Sequence, residues 1–91
     1  MKLEEFDKLL VLTAKKIPSG VRKVILEEGF ISKARNIMEI NTPMEYLFDV
    51  YAEFIDGSGE FDDWTCFKCR EHILSDFIKM LPILELLKDA D

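Results

Sequence analysis

Asn41-Thr42-Pro43-Met44-Glu45-Tyr46-Leu47-Phe48-Asp49-Val50-Tyr51-Ala52-Glu53-Phe54-Ile55 reads as a helix that carries its own start signal. Thr42 can cap, Pro43 suits the first helical position, and Glu45, three places after Thr42, completes a capping box. Leu47, Val50, Tyr51 and Phe54 then recur on one face, so the spacing predicts a helix from Pro43 to about Ile55. Asp56-Gly57-Ser58-Gly59 ends it in a turn, because each glycine inside a helix costs roughly 1 kcal/mol.

The same period extends in both directions. Upstream, Leu3, Phe6, Leu10, Ala14 and Ile17 form one helical stripe that Pro18-Ser19-Gly20 stops. From Val21 a second stripe runs through Val24 and Ile25 to Gly29, a break or C-cap, and a third follows through Phe30, Ile31, Ala34, Ile37 and Met38. Downstream, Ile73, Leu74, Phe77, Ile78 and Leu81 mark a last long helix that Pro82 can kink, with Ile83, Leu84, Leu86 and Leu87 apolar beyond it. No useful run alternates at period two. The expected architecture is a single all-α domain over residues 1–91, a bundle of four to five helices. Its expected core is Phe6, Leu10, Val24, Ile25, Leu47, Tyr51, Phe54, Leu74, Phe77 and Ile78.

Composition narrows the function classes. Ninety-one residues, 48% apolar and 33% charged, suit one core rather than two. A net charge of −6 argues against direct binding of nucleic acid, which needs surplus basic side chains to release counterions from phosphates. No apolar run reaches the roughly 18 to 20 residues of a membrane span, and Met1-Lys2-Leu3-Glu4-Glu5-Phe6-Asp7 is acidic where a signal peptide is basic. The expected setting is cytoplasmic, without a membrane partner.

Charge is distributed unevenly. Residues 1–38 hold eight basic and five acidic side chains, and residues 39–91 hold four and thirteen. Between Glu39 and Phe67 there are eight acids and no Lys or Arg. Glu45, Asp49 and Glu53 recur every four residues, which stacks their carboxylates about 6 Å apart in rise on one helix face. Such pairs oppose helix formation by about 0.2–0.5 kcal/mol each, so the row suggests a use for concentrated negative potential. That use is docking on a basic protein surface, such as the groove of a nucleic-acid-binding protein, as an inhibitor or nucleic-acid mimic. The expected contact set is Glu45, Asp49, Glu53, Asp56, Glu60, Asp62 and Asp63. The competing expectation is that Lys15, Lys16, Arg22, Lys23, Lys33 and Arg35 face the row within the chain or in a dimer, or that the row is simply solvated.

Cys66 and Cys69 form a C-x-x-C pair at the start of the last helix; in a chain of cytoplasmic character that spacing points to thiol or metal chemistry if to any, and the competing reading is two half-buried structural cysteines on the inner face of the helix. A thiol in the first turn of a helix is acidified by backbone dipoles, to which Lys68 and Arg70 add positive charge while Asp62 and Asp63 oppose it. The run Trp64-Thr65-Cys66-Phe67-Lys68-Cys69-Arg70-Glu71-His72 resembles the active-site segment of the flavin-dependent sulfhydryl oxidases of the Erv family, also small helical bundles. The resemblance covers nine of 91 residues and implies thiol-disulfide exchange at Cys66 and Cys69. That family's Trp-x-x-Leu-His stretch and second histidine-bearing flavin segment are missing, since Trp64 and His72 are the only Trp and His here, and no cofactor is expected.

A zinc site on Cys66 and Cys69 would need further ligands from Glu60, Asp62, Asp63 or a second chain. Phe54 to Asp62 also resembles the middle of an EF-hand loop, but Phe54 and Thr65 then fall where calcium needs carboxylates, so the glycines read as an ordinary turn. The leucine-rich tail suits either core completion or a homodimer through the C-terminal helix. Together these patterns favour an interaction protein over an enzyme, with thiol-disulfide chemistry as the alternative.

Overall fold

In the computed structural model, which describes residues 3–35, 41–59, 63 and 65–90, the helix at the middle of the chain starts one residue earlier than its box predicts. Asn41 is the cap: its side-chain oxygen accepts the Met44 N–H at 2.9 Å, and its carbonyl accepts the first helical bond, from Glu45 N–H at 3.1 Å. Asn caps at least as well as Thr, and this register places Thr42 and Pro43 in the first two helical positions, where Pro's missing N–H costs nothing. Glu45 therefore lies inside the first turn and out in solvent, and the Thr42–Glu45 capping box does not form.

Five α-helices are present among the described residues, and no strand. After a short 3₁₀ turn, Leu3–Glu5, α1 runs Lys8–Lys15 with Asp7 capping it through the Leu9 N–H at 2.8 Å. Ile17, just past its end, is wholly buried. Pro18 then opens α2, Ser19–Glu28. Gly29 ends α2 in the left-handed conformation, φ 64°, its N–H returning to the Leu26 carbonyl, and the same residue starts the four-residue α3, Phe30–Lys33. One glycine thus turns the chain between two helices, as its place in the sequence suggests. Ile37 and Met38 lie outside the described residues.

α4, Thr42–Val50, buries Met44, Leu47, Phe48 and Val50. It passes directly into a π-helical turn, Tyr51–Ile55, closed by the Asp56 N–H on the Tyr51 carbonyl at 2.8 Å. α5, Phe67–Ala90, is continuous through Pro82; its 24 residues correspond to about 36 Å, which matches the molecule's longest dimension of 35 Å. It packs against α1, α2, α3 and α4 and is the axis of the bundle. Ile73, Leu74, Phe77, Met80, Ile83, Leu84 and Leu87 are its buried apolar side chains, so the leucine-rich tail belongs to this chain's own core.

Of the expected core, Ile25, Leu47, Tyr51, Leu74 and Phe77 are buried, while Phe6, Leu10, Phe54 and Ile78 pack half-buried around them. Val24 is the exception, 38% exposed. On α2 the inward face is set by Arg22 and Ile25 with Val21 and Leu26 beside them, and Val24 lies about 100° from Ile25 on the side away from Leu26. No described helix is long and apolar enough to cross a membrane.

Candidate functional site

Glu45 and Asp49 belong to α4 and Glu53 to the π turn. Glu45, Asp49 and Glu53 are all exposed. Burial of Met44, Leu47 and Phe48 on the opposite face, at about 1.5–3 kcal/mol per large side chain, exceeds the like-charge cost of the row and holds the helix. On a regular helix each four-residue step drifts about 40° around the axis.

Among the described residues, no ion pair joins Glu45, Asp49 or Glu53 to a basic side chain. Lys23 pairs with Glu27, one turn along its own helix, at 3.9 Å. Asp56, in the acidic segment, feels Lys16 of the basic half electrostatically. Among the described residues the row is therefore not neutralised by direct ion pairs and lies in solvent.

Asp56 and Asp63 follow the π turn in the chain. The Ser58 N–H, at 3.0 Å from Asp56 Oδ1, and the Ser58 hydroxyl hold Asp56 below the usual carboxylate range, with smaller help from His72 and Lys16. Asp63 is lowered in the same way, first by the Thr65 hydroxyl and then by the Thr65 N–H at 3.0 Å. Both are ionised at neutral pH. Glu60 and Asp62 lie outside the described residues, as does Trp64.

The cysteines sit at the entry of α5. Cys66 is the residue before the helix: its carbonyl accepts the Arg70 N–H at 3.0 Å and its own N–H donates to the Asp63 carbonyl at 3.0 Å. Arg70 is buried, and its guanidinium donates to the Thr65 carbonyl at 3.1 Å, fastening this turn to the helix. Both thiols are free and half-buried. Hydrogen bonds from the Cys69 N–H and thiol, joined by the Lys68 N–H, lower the Cys66 thiol below its ordinary value against the opposing charge of Asp63. Burial, then the proximity of Cys66, raises Cys69. The expected backbone stabilisation is thus present, joined by the Cys69 thiol, and Lys68 acts through its N–H. No cluster of three or more His, Cys, Asp or Glu able to hold a metal occurs among the described residues.

His72 reaches the π turn. Its Nε2 lies 3.3 Å from the Tyr51 hydroxyl and 3.5 Å from Asp76, and the Tyr51 hydroxyl is also 3.3 Å from Asp76 Oδ2. This Tyr51–His72–Asp76 group joins the π turn to α5. The i,i+4 pair of His72 and Asp76 is visible in the sequence, but Tyr51 reads there as a core residue, and only the packing of the two helices brings the three together. Neither a protein-family model, nor a curated protein, nor a solved structure matches the chain.

Proposed function

We propose that this chain is a helical interaction module that docks the carboxylate row Glu45, Asp49 and Glu53 on a basic protein surface. The observation that carries the reading is that all three are exposed and, among the described residues, paired with no cation. Asp56 and Asp63, both held ionised, add negative charge after the π turn in the chain. A row of fixed carboxylates on a rigid helix suits a groove lined with Lys and Arg, including one that otherwise receives nucleic-acid phosphates, where the module acts as an inhibitor or mimic. Complementary charge raises the association rate and weakens with salt, so binding of this type is steep in ionic strength.

The test is reversal of Glu45, Asp49 and Glu53 to Lys, compared with reversal of three exposed acids elsewhere, Glu4, Glu5 and Glu28. The two triple variants carry the same net charge. Capture of basic partners from cell extract at low salt should be lost in the first and kept in the second. Equal losses would mean that net charge alone attracts the partners, and the docking reading would fall.

A further inference from the structure

We propose that Cys66 and Cys69 form a working dithiol that exchanges with low-molecular-weight disulfides of the glutathione class, with Cys66 as the attacking thiol and Cys69 as the resolving one. The inference is independent of the acidic row. It stands on the placement of two free thiols: Cys66 on the residue just outside α5, Cys69 one turn in, both half-buried rather than enclosed.

Residues three apart on a helix have Cβ atoms about 5–6 Å apart, and a disulfide needs about 3.5–4.5 Å. Two cysteines inside a regular helix would therefore have to distort it to bond. Cys66 is not so constrained, since it precedes the first helical residue, and the contraction falls on the loop side. The turn that carries it is anchored at Asp63 and, through Arg70, at Thr65, so the thiol is held at the helix end with its partner above it.

The exchange balances as follows. The Cys66 thiol gives its proton to solvent, and the thiolate attacks one sulfur of RSSR; the Cys66–SR bond forms, the RS–SR bond breaks, and RS⁻ leaves to be protonated by solvent. Cys69 then loses its proton and attacks the Cys66 sulfur, forming the Cys66–Cys69 bond and releasing the second RS⁻. The chain's two thiols are oxidised by two electrons, and RSSR is reduced to two RSH. The opposite acidities of the two thiols suit the order, because the thiolate is the nucleophile and Cys66 is the one stabilised in that form.

The test uses the full chain with oxidised glutathione, with Cys66→Ser and Cys69→Ser variants checked for folding by circular dichroism, and mass spectrometry after alkylation as the readout. The wild type should lose both free thiols without gaining a glutathione adduct. Cys69→Ser should accumulate one adduct on Cys66, and Cys66→Ser should be modified more slowly by about threefold or more, since the gain in thiolate fraction is partly offset by lower nucleophilicity. Equal rates in the two variants, or wild-type thiols that stay free until denaturant is added, would overturn the proposal.

Discussion

The Tyr51 hydroxyl donates to the Asp76 carboxylate across 3.3 Å, linking the first residue of the π turn to the middle of α5. Tyr51 is otherwise buried, with its ring edge-on to Phe77 at 6.5 Å between centroids. Tyr51→Phe keeps that packing and removes the hydroxyl, with its bonds to His72 and Asp76. The expected loss is about 1–2 kcal/mol, read from the midpoint of urea unfolding. A neutral outcome would show that the polar group contributes nothing to holding the π turn.

Acid should weaken the fold through Asp56 and Asp63. Both carboxyls have native pKa values below the ordinary 3.8, so each contributes stability that is present above that value and lost as pH falls through the lower, native one. Urea midpoints should therefore hold steady from neutral pH down to about 4 and then fall. Asp56→Asn keeps an acceptor for the Ser58 N–H but cannot titrate, and its midpoint should fall less steeply with acid than the wild type's.

Two glycines should respond to the same substitution with opposite sign. Gly29 has φ 64° and open space where a Cβ would go, so Gly29→Ala meets no clash but must adopt a left-handed backbone, at about 1–2 kcal/mol. Gly20, in the first turn of α2, also has nothing within 4 Å and has no positive φ. There Ala restricts the unfolded chain and should stabilise by about 0.4–1 kcal/mol, measured by thermal or chemical unfolding.

Asp63 provides a direct handle on the thiol pair. Its charge raises both cysteines, while its Oδ1 holds the Thr65 N–H at 3.0 Å. Asp63→Asn keeps the acceptor and removes the charge. Alkylation of Cys66 at neutral pH should become faster, with the rate-pH curve displaced to lower pH; an unchanged curve would show that the carboxylate does not act on the thiol.

What the sequence makes legible is what local chemistry decides. Gly29 is readable as a helix stop because a left-handed residue favours glycine, and the acids of α4 are readable as an exposed row because their four-residue period opposes the apolar one. The choice between Asn41 and Thr42 as cap is a near tie in intrinsic preference, settled by the rest of the chain: the Asn41 amide also donates to the Lys33 carbonyl at 3.4 Å, across from α3. Val24 is misread because a period alone does not say which flank of a stripe faces the axis. The π turn has no local signature here; Tyr51 is tied to α5 by side chains more than twenty positions away in sequence. For the same reason the Tyr51–His72–Asp76 group is invisible before the helices are packed, whereas Cys66 at a helix entry is evident from its neighbours.

The C-terminal segment separates a chain that completes its own core from one that needs a second copy. Ile83 and Leu84 are fully buried and Leu87 nearly so within a single chain, leaving Leu81 and Leu86 half-buried beside them. A short tail beyond Pro82 has no helical stability of its own, because isolated helices under about 12 residues are marginal in water, so its order depends on this burial. Leu84→Ala should then cost about 2–5 kcal/mol by opening a cavity at the axis of the bundle, with the unfolding transition still cooperative. The wild type should sediment as a monomer, and its melting temperature should not change with protein concentration. A melting temperature that rises with concentration, together with a Leu84→Ala variant that stays folded but dissociates, would show that a homodimer through the C-terminal helix supplies the burial instead.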